Sequence, residues 1–277
     1  MKVGIVGLGL IGGSFAKAFR QNSDAHVCGM DTDRATLSYA LLSETVDQQL
    51  TEQNMGECDL IVISLYPDAA VDFINKNAHL FKKDCLVIDT CGTKGKVCEA
   101  GFEAAKNHGF EFVGGHPMAG IQFSGIKYSR ADLFKNASMI IVPSRYDDIE
   151  LFDRIKTCLA PMMFGAITVS TAQEHDKIIA YTSQMAHVVS NAYAKSENSR
   201  LHHGFSAGSY KDMTRVATLN EEMWTQLFME NRKNLSDELA GLIAELSKYK
   251  EALDADDAAT MKALLRHGRE CKERADG

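Results

Sequence analysis

The chain has 277 residues, 45% hydrophobic and 24% charged, with a formal net charge of −7. That length accommodates one large domain or two with a sizeable core, and the acidic balance speaks against a nucleic-acid partner. No apolar run approaches the roughly 20 residues of a membrane span, Met1 leads straight into a strand without room for a signal peptide, and the seven cysteines are scattered with no Cys-x-x-Cys pair, so a cytoplasmic protein with reduced thiols, no metal site and no membrane partner is expected.

The apolar run 3–6 reads as a buried parallel strand. Gly7, Gly9 and Gly12 follow at the Gly-x-Gly-x-x-Gly spacing, and a helix with an apolar stripe continues over 14–20. Gly7 suits a tight turn, Gly9 a close approach of backbone to pyrophosphate, and Gly12 close packing of helix on strand. The helix start, with Leu10 and Ile11, offers free N–H groups and a positive dipole end to phosphates. A second apolar strand, 26–30, ends at Asp31, nineteen residues past Gly12. An acid there suits the adenosine ribose hydroxyls and repels a 2′-phosphate, so NAD is expected over NADP. Arg34 is the nearby feature that would favour NADP. The alternative for Asp31 is a helix N-cap with Thr32.

Further strands are expected over 59–64, 85–89, 110–114, 137–142 and 164–169. Helices are expected from Pro67 to about His79, over 94–108 with Gly109 as C-cap, and from about Asp147. This alternation predicts an α/β fold, a Rossmann-type doubly wound, mostly parallel sheet. Ligands in such sheets lie beyond the carboxyl ends of strands, which places Ser64, Leu65 and Thr90 with the cofactor-binding residues. After Ser170 no strand pattern recurs. Long helices are expected over 171–195, 220–249 and 254–274, with a polar, glycine-containing break over 198–208. The reading is a dinucleotide-binding domain over 1–170 and an all-α domain over 171–277, whose apolar stripes suit a homodimer.

Directly after the fifth expected strand comes Gly114-Gly115-His116-Pro117-Met118-Ala119-Gly120. Pro117 holds His116 extended, and a neutral imidazole takes a proton from an alcohol near neutral pH. The alternative is a histidine that structures a turn. Thr93, after the fourth strand, either caps the following helix or hydrogen-bonds a substrate or His116. Ser183 and His187 lie four apart on one helix face. Arg215, in Asp212-Met213-Thr214-Arg215, follows the glycine-containing segment 204–208, with Gly208 at its end. Its guanidinium suits a carboxylate clamp or a domain-seam salt bridge.

These motifs occur together and in order: Gly7 to Ser14, Gly115-His116-Pro117-Met118-Ala119-Gly120, His175-Asp176 with His187 twelve on, and Asp212-Met213-Thr214-Arg215. Over essentially its whole length the chain resembles the prephenate/arogenate dehydrogenase family of tyrosine biosynthesis. The resemblance implies NAD-dependent oxidative decarboxylation of prephenate or arogenate by a dimeric enzyme, without the regulatory ACT or fused chorismate mutase domain of some relatives. It implies His116 as catalytic histidine and Thr93 as its hydroxyl partner, where relatives have serine. Ser183, His187 and Gly208 fall in the substrate pocket, Arg215 on a substrate carboxylate, and Trp224 on a rim that the partner subunit can supply. The sequence departs from relatives at Ile121, Gln122 and Phe123, where a small hydroxyl and polar or charged residues are usual. The rival readings are another two-domain NAD(P)-dependent oxidoreductase, of the β-hydroxyacid dehydrogenase or imine reductase type, and a non-catalytic NAD-binding sensor.

Overall fold

Among the residues that the computed structural model describes, 1–276, eight strands form one sheet. They are β1 (Lys2–Val6), β2 (His26–Met30), β3 (Gln48–Gln49), β4 (Leu60–Ile63), β5 (Leu86–Asp89), β6 (Glu111–Pro117), β7 (Ser138–Pro143) and β8 (Ala166–Val169). The spatial order is β3-β2-β1-β4-β5-β6-β7-β8. The strands from β3 across to β6 are parallel, β7 runs antiparallel to β6, and β8 is parallel to β7. The central strands β4 and β5 are buried at every residue, which is why they read as unbroken apolar runs rather than alternating ones.

The first-half helices are α1 (Leu10–Asn22), α2 (Arg34–Leu42), α3 (Glu52–Met55), α4 (Pro67–Asn77), α5 (Gly95–His108) and α6 (Ile149–Leu159). One face of the sheet, with Ile5, Val62 and Ile88, packs on Phe15 and Phe19 of α1 and Ile155 of α6. The other, with Ile61, Ile63 and Val87, packs on Ile74 of α4 and Val97 of α5. Phe15 and Phe19 are fully buried, each contributing about 1.5–3 kcal/mol of transfer free energy. Pro67 opens α4 in its first turn, where its missing N–H costs nothing. Gly109 closes α5 with φ +82° and donates to Ala105. The strand order reverses between β1 and β4, and the crevice at that switch point is where α/β sheets bind nucleotides.

Strand β6 is longer than its sequence suggests. It runs through His116 and Pro117 because β7 pairs with it antiparallel, His116 opposite Ile140 and Pro117 opposite Met139. The histidine expected in a loop therefore stands on a strand. The short α2, α3 and β3, between Asp31 and Cys58, carry no pattern strong enough to read from sequence.

From Thr171 onward the chain is helical. Thr171 caps α7 (Ala172–Ile179) in a capping box with Glu174. A π-helical turn, Ala180–Met185, then joins α7 to α8 (Ala186–Tyr193), so the long helix expected here is interrupted. The remaining helices are α9 (Gly208–Thr214), α10 (Glu221–Glu230), α11 (Arg232–Asp254) and α12 (Ala258–Ala275). The single helix expected over 220–249 is broken at Asn231. That residue is buried, and its amide donates to the Asp176 carbonyl at 2.7 Å and the Gln184 side chain at 2.8 Å. Binding those acceptors holds Asn231 at φ −103°, ψ +23°, outside the helix.

Candidate active site

The glycine loop follows β1 as a cradle that side chains would fill. A Cβ on Gly12 would lie 1.8 Å from the Gly7 carbonyl oxygen, and one on Gly7, at φ +86°, 2.4 Å from that of Ser64. Gly9 faces open space, with no atom within 4 Å of such a Cβ, so a ligand has access to the backbone there. Helix α1 starts at Leu10 with no side-chain cap, which leaves the N–H groups of Leu10, Ile11 and Gly12 for an anion. Asp31, at the end of β2, accepts from the Leu8 N–H at 2.8 Å and the Asp33 N–H at 2.9 Å. Its carboxylate is thereby locked beside the glycine loop. The N-cap of α2 is Asp33, which accepts from Ala35 and Thr36, so the capping alternative for Asp31 is not what the chain uses. Exposed Arg34 opens that helix. Ser64 and Thr90, at the ends of β4 and β5, bring their hydroxyls to 3.2 Å, and the Leu65 side chain borders Gly7. The glycine loop, Asp31, Ser64, Leu65 and Thr90 are thus linked by contacts at the carboxyl ends of the strands, and a cradle that a Cβ on Gly7 or Gly12 would fill fits a dinucleotide.

His116 stands near the carboxyl end of β6. Below it is a dry ion pair, Lys94 with Asp89, both fully buried. The ammonium also donates to the Gly115 carbonyl at 2.6 Å, and Asp89 accepts from the N–H groups of Gly115 and Cys91 at 3.0 and 2.8 Å. Burial is the largest single influence on Lys94 and works against its charge, but Asp89 and the neighbouring Cys91 and Cys98 together raise the pKa. The pair clamps the end of β5 to β6 one residue before His116. The Nδ1 of His116 lies 2.8 Å from Nε2 of His175, whose Nδ1 lies 2.8 Å from Asp176 Oδ1. Desolvation, then the neighbouring His175 and Lys94, holds the His116 pKa well below the usual histidine value. Its imidazole is neutral at pH 7 and half-buried.

Thr93 neither caps α5, whose N-cap is Lys94, nor bonds His116. Its buried hydroxyl donates to Glu230 at 2.6 Å, across the seam to α10. The N–H groups at the start of α5 are taken by Asp176, from Lys94 at 2.8 Å and Gly95 at 2.9 Å. His116, for its part, is paired with His175. A carboxylate outcompetes a neutral partner for a hydroxyl proton, and Glu230, 137 residues away in sequence, carries no local signal.

On the helical side, the π-turn and α8 bring Ser183 and His187 to the seam. His187 donates from Nδ1 to the Ser183 carbonyl at 2.8 Å and lies against Trp224, ring centroids 4.0 Å apart. Its pKa is lowered by desolvation and, to a lesser extent, by nearby Arg215. Arg215 directly follows α9. It is exposed, and among the described residues no carboxylate lies within ion-pair distance of it. Gly208 opens α9 facing open space and is not brought into contact with this cluster. Sequence reasoning left Asp89, Lys94 and Glu230 out of the site, and gave His175 and Asp176 no role in it. The repeated His at 175 and 187 was the one signal available.

A Rossmann-type cradle, a neutral histidine near the end of β6 and, on the helical side, an arginine with no ion pair among the described residues fit a nucleotide-dependent dehydrogenase. Comparison with known proteins agrees. The profile described as prephenate dehydrogenase, nucleotide-binding domain, matches residues 15–167, and that described as prephenate dehydrogenase, dimerization domain, matches 171–267. The chain belongs to the prephenate dehydrogenase family. It is 28% identical to a prephenate dehydrogenase of Bacillus subtilis, over 99% of this chain and 75% of that one. It is also 28% identical to a cyclohexadienyl dehydrogenase of Zymomonas mobilis, over 98% and 94%. The fold superposes on the crystal structure of prephenate dehydrogenase from A. aeolicus in complex with hydroxyphenyl propionate and NAD+, with TM-score 0.83, 24% identity, and 99% and 98% of the two chains covered. The family match sets aside the β-hydroxyacid dehydrogenase, imine reductase and sensor readings.

Proposed function

We propose that this protein oxidises and decarboxylates prephenate, or its amino counterpart arogenate, with NAD. The observation that supports the reading is a neutral, partly accessible His116 near the carboxyl end of β6, one residue past the Lys94–Asp89 clamp and 2.8 Å from His175 of the helical part. When bound, NAD supplies the hydride acceptor. Gly7, Gly9 and the N–H groups of Leu10, Ile11 and Gly12 would hold its pyrophosphate, Asp31 its ribose, and Ser64, Leu65 and Thr90 would border it.

Arg215 anchors a substrate carboxylate through its planar fork, and Ser183, His187 and Trp224 form the wall beside it. The free Nε2 of His116 accepts the proton of the ring hydroxyl. The carbinol C–H pair departs as hydride, the C–CO2 bond pair closes the aromatic ring as CO2 leaves, and His116 returns its proton to the resulting phenolate oxygen. Orientation does most of the work, and the clamped end of β6 supplies it. The helical domain, over 171–277, exposes Ile243, Leu246, Leu253 and Leu265 on α11 and α12. With the matching dimerization profile, these faces support a homodimer through the C-terminal helices. The seven free thiols, six of them buried, suit a reducing cytoplasm. No helix among the described residues is long and apolar enough to cross a membrane.

The test is His116→Asn, assayed by NADH formation from prephenate and from arogenate. Loss of a general base should lower kcat by about 10²–10⁴-fold with NAD affinity unchanged. Near-normal turnover would sink the assignment.

A further inference from the structure

The hydrogen bonds around His116 determine which of its nitrogens carries a proton. Asp176 accepts two backbone N–H groups, that of Lys94 on Oδ1 and that of Gly95 on Oδ2, and its Oδ1 lies 2.8 Å from His175 Nδ1. An acceptor so surrounded is an ionised carboxylate. His175 therefore donates from Nδ1, and as a neutral ring it presents a lone pair at Nε2. That lone pair faces His116 Nδ1 at 2.8 Å, so His116 must donate from Nδ1. Only then is its Nε2 an acceptor.

We infer that His175 and Asp176 are positioning residues that fix His116 in the one tautomer able to accept a proton from substrate, and that they do so from across the seam between the two halves of the chain. The inference rests on the reading of His116 as the base. His116 lies on β6 of the sheet, while His175 and Asp176 lie on α7 of the helical part. The base is thus competent only when α7 is seated. The seating is itself anchored: Asp176 is held by the two N–H groups that begin α5, and its carbonyl accepts from Asn231. His175 is 2% exposed, so water does not replace its lone pair. The charged and titratable groups facing the two rings are Asp176 from α7, Lys94 at the start of α5 and Asp89 from β5. Desolvation is the largest influence on both rings and keeps both neutral near pH 7. Asp176, already receiving two backbone donors, orients the chain of rings and need not take the proton.

Three variants separate this role from simple packing. His175→Leu removes the lone pair and keeps an apolar filler. Its kcat should fall by at least about tenfold, and by no more than the roughly 10²–10⁴-fold that losing the base itself costs. KM and NAD affinity should hold. His175→Gln places an amide oxygen near the lost Nε2 and should recover most of the loss. Asp176→Leu removes the acceptor of the His175 Nδ1 proton and releases both rings from the fixed tautomer; a base held in the wrong tautomer costs up to about 10⁴-fold. Nitrogen-15 NMR of histidine-labelled full-length protein reads the tautomer directly. The His116 ring should be protonated at Nδ1 in the wild type and lose that preference in Asp176→Leu. An Nε2-protonated His116 in the wild type, or equal losses in His175→Leu and His175→Gln, would overturn the inference. If His116→Asn itself retains activity, the reading of the base fails instead, and the two failures are told apart.

Discussion

The two sides of the candidate site are built on opposite plans. On the sheet side, Lys94 and Asp89 are sealed from water and bonded to each other and to the Gly115 and Cys91 backbone, and His116 is held by strand pairing and by His175. On the helical side, Arg215 is exposed without an ionic partner, and it follows a loop with Gly204 at φ +83° and a 93% exposed Phe205. The difference teaches where each half of the task is placed. Proton transfer needs a group fixed to a fraction of an ångström. Substrate capture needs a charge that stays solvated until a carboxylate replaces the water.

The largest effect should come from breaking the sealed side. Lys94→Met strands a buried Asp89, and removing one partner of a buried pair costs about 3–5 kcal/mol of stability. Urea unfolding of the full-length protein measures it. Lys94→Met combined with Asp89→Leu should recover much of the loss, because two apolar side chains replace two compensated charges. A single variant of near-normal stability would mean that the sheet side is not the rigid half.

The open side should respond in the contrary way. Arg215→Ala removes no ion pair or side-chain hydrogen bond found among the described residues, so its melting temperature should hold. A hydrogen bond to a charged group is worth about 1.5–3 kcal/mol, so KM should rise roughly ten- to 150-fold. Arg215→Lys should restore only part, since an ammonium keeps the charge without the fork. A destabilised Arg215→Ala with unchanged KM would make the arginine structural and erase the contrast.

Legibility follows the same division. The glycine fingerprint, Asp31 and the extended His116 were readable because each is a local pattern: a turn, a strand end, a residue before proline. The π-turn, the break at Asn231 and the pairings of Thr93 with Glu230 and of His116 with His175 were not. They join residues between 47 and 137 apart in sequence, and no short-range propensity encodes them. Lys94 looked like an ordinary helix-start lysine because burial cannot be read from a charged letter. Asp31 is an intermediate case: the spacing marks it, and the bond from the Leu8 N–H explains its fixed place.

Cofactor choice should show a smaller effect. With its carboxylate locked beside the glycine loop, Asp31 repels a 2′-phosphate. NAD should be used at least about tenfold more efficiently than NADP, or roughly 1.4 kcal/mol. Initial rates at limiting cofactor decide it. Equal efficiencies would mean that Arg34 neutralises the site.

The smallest effect, and the one that sets the two sides of the site against the whole fold, is that of mild acid. The pKa of His116 is depressed by desolvation and then by His175 and Lys94. A base of ordinary pKa, about 6.5, would lose half its activity at pH 6.5. Here the neutral form persists below that value, so kcat/KM should stay nearly flat between pH 7.5 and 6.5, where an ordinary base would lose nearly half of it. Stability moves in the other sense. Three histidines, His116, His175 and His187, all have lowered values, with desolvation the largest cause in each. Below the unfolded value the unfolded chain binds protons that the folded chain refuses, so stability drops as pH falls from about 6.5 toward the folded values. Unfolding midpoints should therefore decline from pH 7 to 6 while the rate scarcely changes. An activity loss that tracks a pKa of 6.5 at constant stability would mean that His116 is solvated like Arg215, and that the sheet side is as open as the helical one.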